Sequence, residues 1–189
     1  MKIALVGCMG AGKSTVGSLL AKRLEWPLYS TDDIIVKKYE KSLKEIHSEY
    51  TSMGFFYIEH KLLLEISKKE DFVLATGGGI VLNGSNREIL QREFFVVYLK
   101  ADADVLFSRI RDELESRPLL LANDPLEKMR NILAYREPFY QEVAHHVLET
   151  KAMTPVTVVE EIRQQLLKRK KYAPAVLTWE RNDGSQTVK

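Results

Sequence analysis

The chain has 189 residues, which is enough for one domain with a sizeable core. It is 45% hydrophobic and 29% charged with a net charge of +2, which argues against intrinsic disorder and against a general attraction to nucleic acid or acidic membranes. No apolar run approaches the roughly 18 residues of a membrane-spanning helix, and the single cysteine, Cys8, excludes an internal disulfide framework, so we expect a cytoplasmic protein.

Short apolar runs alternate with helical patterns along the chain. Lys2–Val6 predicts a buried strand, and a helix is predicted from about Lys13 to Leu24. Further strands are predicted at Pro27–Ser30, Phe72–Ala75, Phe94–Leu99 and His146–Leu148, and further helices at Ala103–Arg111, Leu126–Val143 and Val156–Lys170. This alternation predicts a three-layer α/β fold with a parallel sheet. We expect one domain over residues 1–171 and a C-terminal tail over residues 172–189.

The strongest motif joins the first strand to the first helix. Gly7-Cys8-Met9-Gly10-Ala11-Gly12-Lys13-Ser14 matches G-x-x-x-x-G-K-[ST], the P-loop pattern. Its glycines allow a tight turn whose N–H groups point at phosphate oxygens, beside the positive end of the helix. Lys13 would reach the β- and γ-phosphates, and the Ser14 hydroxyl would ligate Mg²⁺. The expected ATP-binding residues of this loop are Gly10, Ala11, Gly12, Lys13, Ser14 and Thr15.

The P-loop alone does not distinguish kinases from GTPases, motors or transporter ATPases. The chain shows no second domain for a motor and no N-K-x-D-like segment for reading guanine. Four further segments are informative in combination: Leu28-Tyr29-Ser30-Thr31-Asp32, Ala75-Thr76-Gly77-Gly78-Gly79, Arg117-Pro118-Leu119-Leu120 and Tyr135-Arg136-Glu137-Pro138-Phe139-Tyr140. In their order and spacing, over nearly the whole chain, they resemble the shikimate kinase family.

The resemblance implies a fold like that of nucleoside monophosphate kinases. We expect a P-loop NTPase fold with a five-stranded parallel sheet of order 2-3-1-4-5. Substrate-binding helices at about residues 32–67 and a lid at about residues 112–124 would close over the carboxyl edge of the sheet. The implied reaction is transfer of the ATP γ-phosphate to a ring hydroxyl of shikimate, in aromatic amino acid biosynthesis. Mg²⁺ is the one cofactor implied, and we expect a monomer without nucleic acid or membrane partners.

The resemblance also assigns roles on the substrate side. Asp32 would hydrogen-bond the attacking hydroxyl and orient or deprotonate it. The triplet Gly77, Gly78 and Gly79 would donate backbone N–H groups to substrate hydroxyls, and Arg136 would bind the substrate carboxylate bidentately. Because Thr31-Asp32-Asp33 precedes a helical pattern, a helix N-cap remains the alternative role for Asp32.

On the nucleotide side, the resemblance makes Lys13 and Arg117 catalytic together with Asp32. Arg117 lies in a polar segment suited to a lid, and its planar guanidinium suits phosphate oxygens. Pro155 opens the last predicted helix and, by resemblance, lines the adenine pocket. Arg117 and Pro155 therefore complete the expected ATP site.

Two positions depart from the family pattern. Ser30 stands where the family has an aspartate that supports Mg²⁺ through water, and Asp33 would face the other side of an extended segment. Phe56 stands where the family has an arginine that binds the substrate carboxylate. The loss of one such contact costs about 1.5–3 kcal/mol. His60 and Lys61 lie about one turn further on and are the basic residues nearest to Phe56 on this helix.

These departures leave three functions open. The retained Lys13, Asp32 and arginines favour a kinase for shikimate with an altered carboxylate clamp. Phe56 favours a kinase for a different small polyol, one without a carboxylate. Ser30 favours a nucleotide-binding regulator with little catalytic activity.

Overall fold

The computed structural model describes the backbone of residues 1–172, and their side chains except those of residues 115, 116, 118 and 170–172. Its five strands are Lys2–Val6 (β1), Leu28–Ser30 (β2), Phe72–Ala75 (β3), Phe95–Lys100 (β4) and His146–Glu149 (β5). They form one parallel sheet in the order β2-β3-β1-β4-β5, which confirms the predicted topology. The predicted tail lies outside the described residues, except for residue 172.

Eight α-helices surround this sheet in the described part of the chain. They are Lys13–Leu24 (α1), Thr31–Tyr39 (α2), Leu43–Glu49 (α3), Ser52–Ile66 (α4), Gly84–Glu93 (α5), Ala103–Ser108 (α6), Pro125–Val143 (α7) and Pro155–Tyr172 (α8). Short 3-10 helices span Ile80–Leu82, Arg111–Ser116 and Pro118–Leu120. Within residues 1–172, none of the helices combines the length and apolar character that a bilayer crossing requires.

The predicted boundaries differ from the structure by a few residues at several ends. The helix predicted over Ala103–Arg111 ends at Ser108, because the backbone leaves helical dihedral angles at Ile110 (φ −127°, ψ 2°). The strand predicted from Phe94 begins at Phe95, because the Phe94 N–H still bonds the Leu90 carbonyl at the end of α5. Helix α5 itself was not predicted.

The three central strands, β1, β3 and β4, are buried almost from end to end. Helices cover both faces of a parallel sheet, so such strands read as continuous apolar runs. The carboxyl ends of the strands meet at one edge of the sheet, where open α/β folds bind their ligands. The segments that follow β1, β2 and β3 therefore come together there.

Candidate active site

The loop between β1 and α1 has the backbone that its glycines predict. Gly10 and Gly12 have φ of 80° and 84°, in the left-handed region that favours glycine. A Cβ atom on Gly10 would lie 2.5 Å from the Leu106 carbonyl oxygen, so a side chain cannot be placed there. Gly12 precedes the first turn of α1, and the positive end of that helix dipole therefore faces the loop.

A cavity of about 490 Å³ opens beside this loop. The structure brings to its wall all the residues predicted to bind ATP, Gly10, Ala11, Gly12, Lys13, Ser14, Thr15, Arg117 and Pro155, together with Asp32 and Gly78. Arg109 also lines the cavity, and its Nη2 donates to the Thr150 carbonyl at 2.9 Å. The sequence analysis did not assign Arg109 to the site, because Arg109 belongs to no motif. The one signal in the sequence that could have identified it is its position just before the predicted lid.

Lys13 is held by the loop that it follows. Its Nζ donates to the carbonyl oxygens of Gly7 at 2.8 Å and Cys8 at 2.9 Å. Desolvation lowers the pKa of Lys13 to about 8, with smaller contributions from the positive charges of Arg117 and Arg136. A bound phosphate would favour the charged ammonium again, since opposite charges stabilise each other.

Arg117 approaches the cavity from the side of the predicted lid, where the chain forms the two short 3-10 helices over residues 111–116 and 118–120. Its Nη2 lies 3.0 Å from the Glu113 carboxylate. The Arg117 Nε is buried and finds no hydrogen-bond partner in the described part of the structure. A guanidinium with an unused donor at the wall of this cavity suits a phosphate oxygen.

The start of α2 settles which residue caps that helix. Ser30 is the N-cap, because its Oγ accepts a hydrogen bond from the Asp33 N–H at 3.2 Å. The alternative N-cap role for Asp32 is therefore wrong, and its carboxylate faces the cavity from the first turn of α2. Ser30 is extended, but the helix begins at Thr31, so the extended geometry assumed for residues 31–33 is also wrong, although Asp33 is exposed. Desolvation raises the pKa of Asp32, against the opposing charge of Lys13.

The glycine triplet after β3 lies against Asp32 and Arg136. A Cβ atom on Gly77 would stand 2.6 Å from Asp32 Oδ1, and one on Gly78 would stand 3.5 Å from Arg136 Nη1. The Gly77 N–H donates to Thr31 Oγ1 at 2.7 Å, so it is used within the protein. Gly78 and Gly79 are therefore the two members of the triplet whose N–H groups we still expect to donate to a substrate.

Arg136 reaches the triplet from α7, where its side chain is buried. The neighbouring Tyr140, one turn further on, donates its hydroxyl to the Gly78 carbonyl at 2.6 Å. Helix α7 thus fixes the triplet and presents a cation to it. The predicted substrate-side residues, Asp32, Gly77, Gly78, Gly79 and Arg136, are brought together by three separate elements.

Glu59 is an acidic residue of this site that the sequence analysis did not assign. It lies on α4 and is 1% exposed. Its two carboxylate oxygens face the positions that a Cβ would take on Gly77, at 3.3 Å, and on Gly79, at 3.9 Å. Oε2 has no hydrogen-bond partner among the described residues. Burial, reinforced by the charge of Asp32, raises the pKa of Glu59 to about 8, so the carboxyl group is protonated at neutral pH.

The residues near Phe56 do not supply a replacement cation. Phe56 is half-buried on α4. His60 Nδ1 hydrogen-bonds Asn86 Oδ1 at 2.8 Å, which ties it to α5. Lys61 Nζ lies 4.5 Å from the centre of the exposed Tyr57 ring. Both side chains are therefore engaged with other residues, and Arg136 is the guanidinium that faces the triplet.

The donor set fits Mg²⁺ bound together with a nucleotide. Ser14 lines the cavity and offers a hydroxyl oxygen, a ligand type that Mg²⁺ accepts alongside phosphate oxygens and water. No group of three or more His, Cys, Asp or Glu residues able to hold a metal is present among the described residues. An ion here would accordingly depend on the nucleotide for most of its ligands.

Comparison with known proteins gives consistent similarities. The family model described as shikimate kinase matches residues 9–167. The shikimate kinase of Symbiobacterium thermophilum is 39% identical over 170 residues, covering 89% of this chain and 98% of that protein. The shikimate kinase of Nitrosospira multiformis is 40% identical over 164 residues, covering 87% of this chain and 84% of that protein.

Solved structures agree in fold. Shikimate kinase from Acinetobacter baumannii in complex with shikimate has a TM-score of 0.85 and 36% identity, covering 89% of this chain and 94% of that chain. Deoxyadenosine kinase from M. mycoides with bound dATP has a TM-score of 0.58 at 19% identity, covering 88% of this chain and all of that chain. The second likeness is one of fold alone.

Proposed function

This chain belongs to the shikimate kinase family, and on that basis we propose that it transfers the γ-phosphate of ATP to a ring hydroxyl of shikimate. The products are ADP and shikimate 3-phosphate, in a step of aromatic amino acid biosynthesis. One observation carries the proposal: the phosphate-binding Lys13 and the acceptor-side Asp32 line the same cavity, with Arg136 behind the glycine triplet. Donor and acceptor sites thus meet at one edge of the sheet.

The nucleotide side acts by holding phosphate and neutralising its charge. The loop residues from Gly10 to Thr15 direct backbone N–H groups and the dipole of α1 at the phosphates. Lys13 exchanges its loop carbonyls for phosphate oxygens, and the free donor of Arg117 binds the transferring group. Ser14 would hold Mg²⁺, which when bound supplies further positive charge to the phosphate oxygens.

The acceptor side positions the attacking hydroxyl. Asp32 accepts a hydrogen bond from it, and a raised carboxyl pKa makes this group a better proton acceptor than an ordinary aspartate. The N–H groups of Gly78 and Gly79 bind ring hydroxyls, and Arg136 binds the carboxylate. Phosphoryl transfer depends mainly on such positioning, so each group acts by fixing geometry rather than by forming a bond.

The test is ADP release by the purified protein with Mg·ATP, with and without shikimate. We expect shikimate-dependent turnover that Lys13→Ala abolishes, while Lys22→Ala, on an exposed turn of the same helix, leaves it intact. Turnover with another polyol but not with shikimate would support the second candidate, which Phe56 favours. Nucleotide binding without ADP release from any acceptor would overturn the kinase assignment.

We also propose that the protein works as a cytoplasmic monomer. A free, buried Cys8 within the phosphate loop suits a reducing compartment. All the groups assigned to the reaction come from a single chain, so catalysis needs no second copy. Sedimentation of the purified protein with and without ATP tests the oligomeric state. A specific activity that changes with protein concentration would contradict a monomer.

A further inference from the structure

The acceptor end of the site has more carboxyl groups than basic side chains. Asp32 and Glu59 bring two carboxyl groups to the glycine triplet, and Arg136 brings one guanidinium. Phe56 contributes no hydrogen-bonding group on the same side of α4. A carboxylate that enters this space has one cation to pair with and an ionised Asp32 nearby, so further donors decide how well it binds.

His47 is placed to supply such a donor. It lies on α3, and its exposed imidazole packs on the Phe55 ring with 3.9 Å between ring centres and 33° between ring planes. Phe55 lies one turn before Glu59 on the buried face of α4, so the imidazole packs beside the helix face that reaches the glycine triplet. The contact with Phe55 engages a face of the ring, and neither ring nitrogen of His47 has a hydrogen-bond partner among the described residues.

The helix that carries His47 is held firmly. Ser42 and Glu45 form a capping box at its N-terminus, with a hydrogen bond from the Ser42 N–H to Glu45 at 2.8 Å. Ile46 is fully buried, and Phe55 is 6% exposed beneath the imidazole. The position of His47 is therefore set before any ligand arrives, as a binding group requires.

We propose that His47 is an acceptor-binding residue that donates a ring N–H to the carboxylate of shikimate, as a second contact beside Arg136. The proposal rests on the proposed function, since it presumes a carboxylate acceptor. It makes His47 a determinant of acceptor specificity, because an uncharged polyol would gain much less from it.

This contact makes acceptor binding depend on pH in a defined direction. Burial lowers the pKa of His47 below its usual value, Arg136 adds to the effect, and Asp32 opposes it. The imidazole is therefore neutral in the empty enzyme at neutral pH and becomes an imidazolium as the pH falls. A bound carboxylate favours the imidazolium, so shikimate binds more tightly at lower pH. Glu59, with a pKa of about 8, is still mostly protonated at pH 7 and changes charge above that pH, so the measurement stays below it.

The experiment measures kcat and the KM for shikimate and for ATP between about pH 5.5 and pH 7. In the unmodified protein we expect the KM for shikimate to be about three- to tenfold lower at the acidic end. His47→Phe keeps the ring contact with Phe55 but should remove most of this pH dependence and raise the KM for shikimate at the acidic end. His47→Gln should recover part of the affinity without the pH dependence. The KM for ATP should be unchanged in both variants.

Three outcomes would overturn the proposal. A KM for shikimate that does not change with pH in the unmodified protein excludes a titrating contact. The same pH dependence in His47→Phe as in the unmodified protein assigns it to another group, with Asp32 the first candidate. An unmodified protein that turns over no shikimate at any pH refutes the proposed function itself, and the His47 contact with it.

Discussion

Thr31 and Gly77 are joined by a buried hydrogen bond, in which the Gly77 N–H donates to Thr31 Oγ1 at 2.7 Å. The two residues are 46 positions apart and follow adjacent strands, β2 and β3. Since Thr31 also precedes Asp32, this bond fixes the spacing between the acceptor-side carboxylate and the glycine triplet. A Cβ on Gly77 would collide with Asp32, so the close approach depends on the glycine as well.

Replacing Thr31 with valine should therefore affect both stability and acceptor binding. Thr31→Val keeps the shape but leaves the buried Gly77 N–H without an acceptor, which costs about 1–3 kcal/mol of unfolding free energy. We expect a higher KM for shikimate and little change in the KM for ATP, measured beside urea unfolding. Thr31→Ser keeps the hydroxyl and should lose less on both measures. A loss in Thr31→Val no larger than that in Thr31→Ser would contradict the leading role given to the hydrogen bond.

Glu59 predicts an unusual dependence of stability on pH. Its pKa rises from an ordinary 4.5 to about 8 on folding, so the folded state binds more protons than the unfolded state between these values. The unfolding free energy therefore falls as pH rises through this range, by up to about 1.4 kcal/mol per pH unit. Glu59→Gln, which imitates the neutral acid, should match the unmodified protein near pH 4.5 and exceed it in stability at pH 7.

The control for this prediction is Glu65→Gln, an exposed glutamate on the same helix. Its unfolding free energy should follow that of the unmodified protein at every pH. Urea unfolding at several pH values measures all three proteins. If the unfolding free energies of Glu59→Gln and of the unmodified protein change with pH in parallel, Glu59 is ionised in the folded state and its carboxylate is stabilised by another group.

The sequence assigns the phosphate-binding half of the site from local features alone. A P-loop is a local motif: its glycines, its lysine and the flanking strand and helix are consecutive in the chain. The strand order came from the family resemblance alone, and both the order and the bounds of α1 are confirmed. Helix α5 was not predicted, because it buries few apolar residues, mainly Ile89 and Leu90.

The acceptor half was predicted less completely, because its chemistry depends on contacts between distant segments. The bond between Thr31 and Gly77 joins residues that no local pattern connects. Glu59 reads in the sequence as an ordinary helix glutamate, and its burial arises only when α4 packs over the glycine triplet. The role proposed for His47 likewise depends on the packing of α3 on α4, where the imidazole meets Phe55.

Phe56 offers a direct route to a stronger carboxylate clamp. Phe56→Arg would add a guanidinium about one helical turn before Glu59, whose carboxyl group lies against the glycine triplet. We expect the KM for shikimate to fall about tenfold or more, because a charge-assisted contact to a carboxylate is worth about 1.5–3 kcal/mol. The KM for ATP should not change, and Phe56→Leu, which stays apolar, should not improve shikimate binding. An unchanged KM in Phe56→Arg would indicate that the acceptor carboxylate does not approach α4.

Lys13 predicts proton uptake when ATP binds. With a pKa of about 8 in the empty protein, the Lys13 amine is only about half protonated at that pH. The bound phosphates favour the ammonium, so its pKa rises and binding takes up about half a proton per ATP near pH 8, falling toward zero near pH 6. Calorimetric titration of ATP in buffers with different ionisation enthalpies measures this uptake. Lys13→Ala should abolish it, whereas Lys22→Ala should retain it. Uptake that persists in Lys13→Ala would place the titrating group elsewhere in the cavity, and an absence of uptake in the unmodified protein would mean that Lys13 is already charged before the nucleotide arrives.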